Sequence, residues 1–413
     1  MFPFRKKDIM IRADEKVIDE LLERSIFSVL PSKEALKKEL LSGKRLKIYI
    51  GADATGPELH IGHATNFILL EKLRKLGHEI IVLFGDFTAL IGDPTDKEAA
   101  RKQLTTKEVE GNIKTWKKQI SKVLSLGDAE NPAQILRNST WLSKLDFSEV
   151  IKLASSFTVQ HMLERDMFEK RIKAGKPVYV HEFFYPLMQG YDSVAMDVDV
   201  EIGGSDQTFN MLAGRTLQKK YNSKEKFVIT TTLLENPKTG KKLMSKSEGD
   251  FIGLLDSPEE MYGKTMALPD EAVVQVFIDS TDVSLDEIKN IEKEIDEGGN
   301  PRDVKMRLAR ELVAFYHDKE TARDAEEHFI KTFQKKEFPD DAREIVVQKE
   351  TLLKDMLVGE QIIESHSAFK RLIEQGAIRN ITRNKKIDDI NFKIVESSRL
   401  KVGKRKFLKV TLQ

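Results

Sequence analysis

Leu46-Lys-Ile-Tyr-Ile50, then the segment from Leu59-His-Ile-Gly-His63 to Leu76, then Ile80-Ile-Val-Leu-Phe84 is the stretch that decides the fold. The first run is short, rich in β-branched residues and closed by Gly51, the pattern of a buried strand. After the turn-rich residues Asp53 to Glu58, apolar residues recur at helical spacing from Leu59 to Leu76, and Gly77 supplies a C-cap. The third run is a second apolar strand, ended by Gly85-Asp86. Strand, helix and strand in this order make a βαβ unit, which requires parallel pairing and a right-handed crossover.

Upstream, Val17, Leu21, Leu22 and Ile26 recur at helical spacing, so residues 1–30 read as a helical segment. Residues 31–257 read as a nucleotide-binding domain. Within it, residues of about 105–185 are helical and charged, with Trp116 and Trp141 as anchors, and read as an insertion. The strand pattern resumes at Val198–Ile202, before Gly203-Gly-Ser-Asp-Gln207, and again at Phe227–Thr231. Residues 258–345 turn helical; Asn300 is a natural N-cap with Pro301 at N1, and Val304, Leu308, Leu312 and Phe315 share a face. A connector near 335–350 leads to a small module over 350–413. The fold class expected is α/β, with a parallel-sheet domain, a helical domain and a small α+β domain.

Hydrophobic residues make up 40% and charged residues 33% of the 413, which places the chain among globular rather than disordered proteins. No apolar run approaches the ~18 residues of a membrane span, and Met1 to Lys7 precede no apolar stretch of the signal-peptide kind. There is no cysteine, so disulfides and thiolate metal sites are excluded, in keeping with a reducing, cytoplasmic compartment. Net charge is +1, but from His366 to Gln413 there are 13 Lys+Arg against 4 Asp+Glu, leaving 55 against 63 elsewhere. A basic module on an acidic body points to a polyanionic partner.

His60-Ile-Gly-His63 stands at the first turn of the crossover helix, where free backbone N–H groups and the helix dipole favour anions. Two imidazoles there can hold a triphosphate and stabilise charge developing on it. Gly62 lets a flat ring rest against backbone. No third ligand at zinc spacing accompanies the histidines, so no metal site is expected. Far downstream, Lys241-Lys-Leu-Met-Ser-Lys-Ser247 followed by Glu248-Gly249 has the lysine and hydroxyls of a loop that closes on phosphates. Alone, either motif is compatible with an ordinary solvated turn. Their order and separation in one chain set them apart.

With these two motifs the chain resembles the class I aminoacyl-tRNA synthetases, whose signatures are HIGH and KMSKS. The first matches at His60 to His63; the second matches as Met244-Ser-Lys-Ser247, with Leu243 in place of the first lysine and Lys242 adjacent. The resemblance implies a Rossmann-like catalytic domain and makes His60, His63, Thr55 and Lys246 catalytic. It assigns ATP to Gly51, Asp53, Gly62, Gly204, Asp206, Met244, Ser245 and Ser247, and pyrophosphate to Lys97 and Arg101. Tyr185-Pro-Leu-Met-Gln189-Gly-Tyr-Asp192 before Gly203-Gly-Ser-Asp-Gln207 is similar to the tyrosyl-tRNA synthetases in particular. On one helical face, Tyr185 and Gln189 would hold the substrate ammonium and Asp192 would accept from its phenol. The same resemblance places Tyr49 against the phenol, Asp93 on the ammonium and Gln207 on the carboxylate. A near relative with an indole-reading pocket for tryptophan is the alternative, disfavoured by the pairing of Asp192 with Tyr49.

His366-Ser-Ala-Phe-Lys-Arg-Leu-Ile-Glu-Gln-Gly376 and Leu400-Lys-Val-Gly-Lys-Arg-Lys-Phe407 resemble an S4 RNA-binding domain. Lys370, Arg371, Arg379, Lys404, Arg405 and Lys406 would meet the phosphates of structured RNA. The resemblance implies a tyrosine–tRNA ligase: L-tyrosine, tRNA(Tyr) and ATP with Mg²⁺ as substrates, no tightly bound cofactor, and a homodimer.

Overall fold

The computed structural model describes residues 9–93, 104–127, 130–163, 166–244, 251–334, 342–383, 385–403 and 406–413. Its centre is a six-stranded sheet. The strands are β1 (Ile26–Leu30), β2 (Lys47–Ala52), β3 (Glu79–Phe84), β4 (Gln134–Arg137), β5 (Val200–Gly204) and β6 (Phe227–Thr231). Their spatial order is β1-β6-β5-β2-β3-β4; only β1 runs antiparallel to its neighbour. The βαβ unit is present as expected, with β2 and β3 parallel and the helix Ile61–Lys75 between them, followed by Gly77 at φ +100°. From β2 the chain builds towards β3 and β4 on one side, then returns to add β5 and β6 on the other. That reversal opens a crevice at the carboxyl ends of β2 and β5, where open α/β sheets place their ligands.

Two expectations change. The helical reading of the first thirty residues holds only for Glu15–Glu23; Ile26, counted there as helical, begins β1 and pairs with Thr231. Its spacing fits both periods, and the tertiary partner on β6 decides between them. The segment 105–185 is largely helical, yet it contains β4, which pairs in parallel with β3, so part of it belongs to the sheet itself.

Both faces of the sheet are covered. Along β2, Ile48 and Ile50 join the main core while Tyr49 joins a smaller cluster with Ile81, Leu83, Met196 and Val198, the alternation a strand imposes. The helices Pro258–Met266, Val273–Ser280, Leu285–Asp296, Pro301–Tyr316 and Lys319–Phe329 add residues to that main core rather than forming one of their own. Asn300 caps Pro301–Tyr316 by accepting from Arg302 N at 3.1 Å, and Val304, Leu308 and Leu312 are buried. Arg24, buried, ties the first helix to this region by donating to Thr281 O at 2.7 Å and to Val283 O.

The C-terminal residues have a separate core around Leu353, Phe369, Leu400 and Leu408. Its five-stranded sheet includes Arg343–Val347, which pairs in parallel with Lys406–Leu412. Residues first read as the end of a connector are therefore an edge strand of this unit, recruited by a partner more than fifty residues later. Among the described residues no helix is long and apolar enough to cross a membrane.

Candidate active site

A cavity of about 270 Å³ occupies the crevice at the ends of β2, β3 and β5. Gly51, Ala52 and Asp53 enter it from β2, Gly85 from just after β3, and Gly203 and Gly204 from β5. Gly85 has to be glycine: a Cβ there would stand 2.0 Å from Asp53 Oδ1 and 2.2 Å from Thr88 Oγ1. Those two atoms are themselves hydrogen-bonded at 2.7 Å.

The helix Phe184–Met196 supplies one wall. Tyr185, Gln189 and Asp192 all line the cavity, as their spacing predicts. The Tyr185 hydroxyl donates to Asp53 Oδ2 at 2.9 Å. Burial and the carboxylates of Asp53 and Asp93 push that phenol well above its ordinary pKa. Asp93 also lines the cavity; its Oδ2 accepts from Gln207 Nε2 at 2.9 Å, and Asn210 Nδ2 donates to Gln207 Oε1 at 2.9 Å.

Asp192 is 3% exposed. Its Oδ1 accepts from Trp141 Nε1 at 2.7 Å and its Oδ2 from Asn138 Nδ2 at 3.3 Å. Burial raises its carboxyl well above the usual carboxylate range, opposed by these two donors. Asn138 is fixed in turn: its Oδ1 accepts from Phe87 N at 3.0 Å and its Nδ2 also reaches Thr88 Oγ1 at 3.1 Å. Neither Asn138 nor Thr88 carried any signal in the sequence, and Trp141 read only as an anchor. A carboxylate on a helix face with a tryptophan elsewhere is unremarkable until the fold brings them together.

At the mouth stands the histidine turn. His60 is the N-cap of Ile61–Lys75, in extended conformation. Its backbone N–H donates to His63 Nδ1 at 3.1 Å. Because Nδ1 accepts, the proton of a neutral His63 sits on Nε2. His63 and Thr55 line the cavity. His60 packs its ring 3.7 Å from that of His63, centroid to centroid. Gly62 serves this stack: a Cβ there would lie 3.2 Å from the His60 ring. The room it leaves is filled by histidine, where a ligand ring was expected.

The sequence reading put Ser245, Lys246 and Ser247 in the phosphate loop, and these lie outside the described residues, as do Lys97, Arg101, Lys404 and Arg405. What flanks the loop is informative. Met244 is buried and its Sδ accepts from Ile252 N at 3.4 Å. Ile61 N donates to Ile252 O at 3.1 Å and Leu254 N to Leu59 O at 3.0 Å. Both ends of the loop are thus pinned beside the histidine turn. Leu243, in the place of the expected lysine, packs against the core, whereas Lys242 is exposed.

Tyr49 is fully buried and absent from the cavity lining, and its hydroxyl is 2.9 Å from Ser193 Oγ. Its ring joins the cluster of Ile81, Leu83 and Trp141, so it shares a side of the sheet with the tryptophan that holds Asp192, and Leu83 of that cluster lines the cavity. Asp206 and Met244 are likewise outside the lining. In the C-terminal unit Lys370, Arg371, Arg379 and Lys406 are all exposed.

Residues 41–334 match the family model described as tRNA synthetases class I (W and Y). A tyrosine–tRNA ligase of Carboxydothermus hydrogenoformans is 44% identical over 409 residues, covering 95% of this chain and 97% of the relative. One of Thermotoga maritima is 41% identical, covering 95% and 96%. Among solved structures, a C-terminally truncated mitochondrial tyrosyl-tRNA synthetase of Coccidioides posadasii superposes with a TM-score of 0.62 at 27% identity, over 75% of this chain and 91% of that one.

Proposed function

The chain belongs to the class I tRNA synthetases of the W and Y group, and from that premise we propose how its site divides the work. The reaction is tyrosine–tRNA ligation, with ATP as the activating substrate. The carriage of Asp192 by Trp141 and Asn138 in a cavity that His63 also lines is the observation that supports the assignment of roles. The carboxylate accepts from the substrate phenol, and phenylalanine would leave it without that donor. Tyr185, Gln189 and Asp93 receive the ammonium, Gln207 the carboxylate. Gly51, Asp53, Gly204 and Asp206 flank the adenosine, with Thr55, His60, His63 and Lys246 on the phosphates. Mg²⁺ enters bound to ATP, as part of that substrate.

The tyrosine carboxylate attacks the α-phosphorus in line; the new C–O–P bond forms as the bond to the β-phosphate oxygen breaks and pyrophosphate leaves. No general base is required, so catalysis consists of positioning and charge stabilisation. His63 Nε2–H is directed by its own Nδ1 contact to serve the departing charge. The terminal ribose hydroxyl of tRNA then attacks the carbonyl and AMP departs.

Amino-acid-dependent exchange of pyrophosphate into ATP tests the substrate reading. Exchange is expected with tyrosine; exchange with tryptophan, or none, overturns it. Single-turnover kinetics test the loop: Lys246→Ala should slow adenylate formation about 10²-fold or more while leaving tyrosine affinity near the wild-type value. An unchanged rate removes Lys246 from the mechanism.

We assign tRNA binding to the exposed cations of the C-terminal unit and to the helices of 258–334, and place the enzyme in the cytoplasm with its tRNA. The homodimer is proposed from an apolar surface on the helices around residues 147–180, where Phe147 is 79% and Val180 72% exposed, with Ile151 and Val159 nearby in sequence. Phe147→Glu with Val180→Asp should convert a dimer to a monomer in analytical ultracentrifugation. A wild-type chain that sediments as a monomer refutes the interface.

A further inference from the structure

Glu201 and Lys226 form an ion pair inside the catalytic body, Lys226 fully buried and Glu201 1% exposed. Two charges removed from water are a poor means of joining β5 to β6. The loss of hydration commonly matches the attraction, and apolar residues of similar volume often serve as well or better. The surroundings are nevertheless built for this pair. Lys226 Nζ also donates to Ser193 Oγ at 2.9 Å. Position 214 is glycine, where a Cβ would stand 2.4 Å from Lys226 Nζ, 2.8 Å from Ser193 Oγ and 3.3 Å from Glu201 Oε2. The remaining oxygen of the carboxylate, Glu201 Oε1, accepts from Gln189 Nε2 at 3.0 Å, and both residues line the cavity.

We propose that Glu201 is a positioning residue that fixes the orientation of the Gln189 amide, turning its carbonyl oxygen towards the α-ammonium of bound tyrosine. A primary amide has a donor end and an acceptor end of nearly equal shape, and packing does not distinguish them. A carboxylate does, because it only accepts: Gln189 must give it Nε2, and Oε1 is then left for the cavity. Lys226 pairs with Glu201 Oε2, which leaves Oε1 for Gln189, and Gly214 leaves the volume in which the pair fits. With an amide at position 201 either orientation of Gln189 is satisfied, and the reversed one sets an NH₂ against an ammonium. The arrangement thus contributes to substrate recognition at one remove, from behind the residue that makes the contact. The inference rests on Gln189 being an ammonium contact.

The test compares tyrosine with its desamino analogue, para-hydroxyphenylpropanoate, which keeps the phenol and lacks the ammonium. Binding of each to the full-length protein is measured by titration calorimetry, with competition where affinity is low. E201Q should raise the Kd for tyrosine about tenfold or more, the range of a hydrogen bond to a charged group, and leave that for the analogue unchanged. Because E201Q leaves Lys226 without its counter-charge, E201Q/K226M is measured beside it, with the same selective loss expected. In exchange kinetics the loss should appear in the tyrosine KM, with kcat and the KM for ATP retained. A folded E201Q/K226M that binds both ligands in the wild-type ratio, or loses both in proportion, overturns the proposal. Q189A separates the two levels: a loss confined to tyrosine upholds the ammonium contact, whereas a wild-type ratio overturns that contact and the inference with it.

Discussion

Asp192→Asn should reduce kcat/KM for tyrosine in pyrophosphate exchange by about 10²–10³, the effect of two hydrogen bonds involving a buried charged group. As it stands, the carboxylate accepts from Trp141 Nε1 and Asn138 Nδ2 and retains capacity for a phenol. An asparagine has one accepting oxygen. If that oxygen stays on Trp141, its NH₂ faces Asn138 Nδ2, a donor against a donor, and can no longer accept from the substrate hydroxyl. Phenylalanine makes no bond there to lose, so the preference for tyrosine over phenylalanine should fall by a similar factor. A variant with wild-type preference would place phenol recognition elsewhere. The pH dependence gives a second reading. Burial lifts the Asp192 carboxyl above its usual range, so protonation begins at a higher pH than for an exposed aspartate. Below that point the accepting charge is gone, and the tyrosine KM should climb as pH falls. Asp192→Asn should lack this limb.

His63→Ala is expected to lower the rate of adenylate formation by about 10²–10³, the usual consequence of removing a donor aimed at transition-state charge. Tyrosine affinity should be unchanged, because Asp192 is held by Trp141 and Asn138, whose contacts to it do not involve His63. Alanine also removes the acceptor for His60 N–H, a capping contact whose loss costs about 1 kcal/mol. His63→Gln separates the two effects. Glutamine at the third helical position can accept from the N-cap N–H as in a capping box, so this variant should recover stability without recovering rate. Recovery of both would make His63 a cap and nothing more.

Much of this was legible along the chain. The run from Leu46 to Phe84 announced β2, its helix and β3, because a buried strand and an amphipathic helix each write their period into a dozen consecutive residues. The spacing of Tyr185, Gln189 and Asp192 put them on one helical face, and all three reached the cavity. Failures came where the local pattern was short or the deciding partner distant. Ile26 fitted a helical period until Thr231 claimed it for a strand, and β4 is four residues long inside a helical stretch. Asn138, Thr88, Glu201 and Lys226 had no local pattern. Each became significant through a partner brought close by folding, as Glu201 of β5 and Lys226 just ahead of β6 are.

By itself, the order of residues determined the α/β class, the histidine turn at a helix start, the shared helix face of Tyr185, Gln189 and Asp192, and the basic character of the C-terminal unit. These follow from local periodicity, capping and charge, which need no knowledge of the rest of the chain. Tertiary structure alone decided which face of β2 Tyr49 took, how Trp141 and Asn138 hold Asp192, and which way the Gln189 amide turns. The physical reason is the same in each case. A side chain's hydrogen-bonding role depends on the atoms within about 3 Å of it, and around this site those atoms arrive from strands and helices far apart in the sequence.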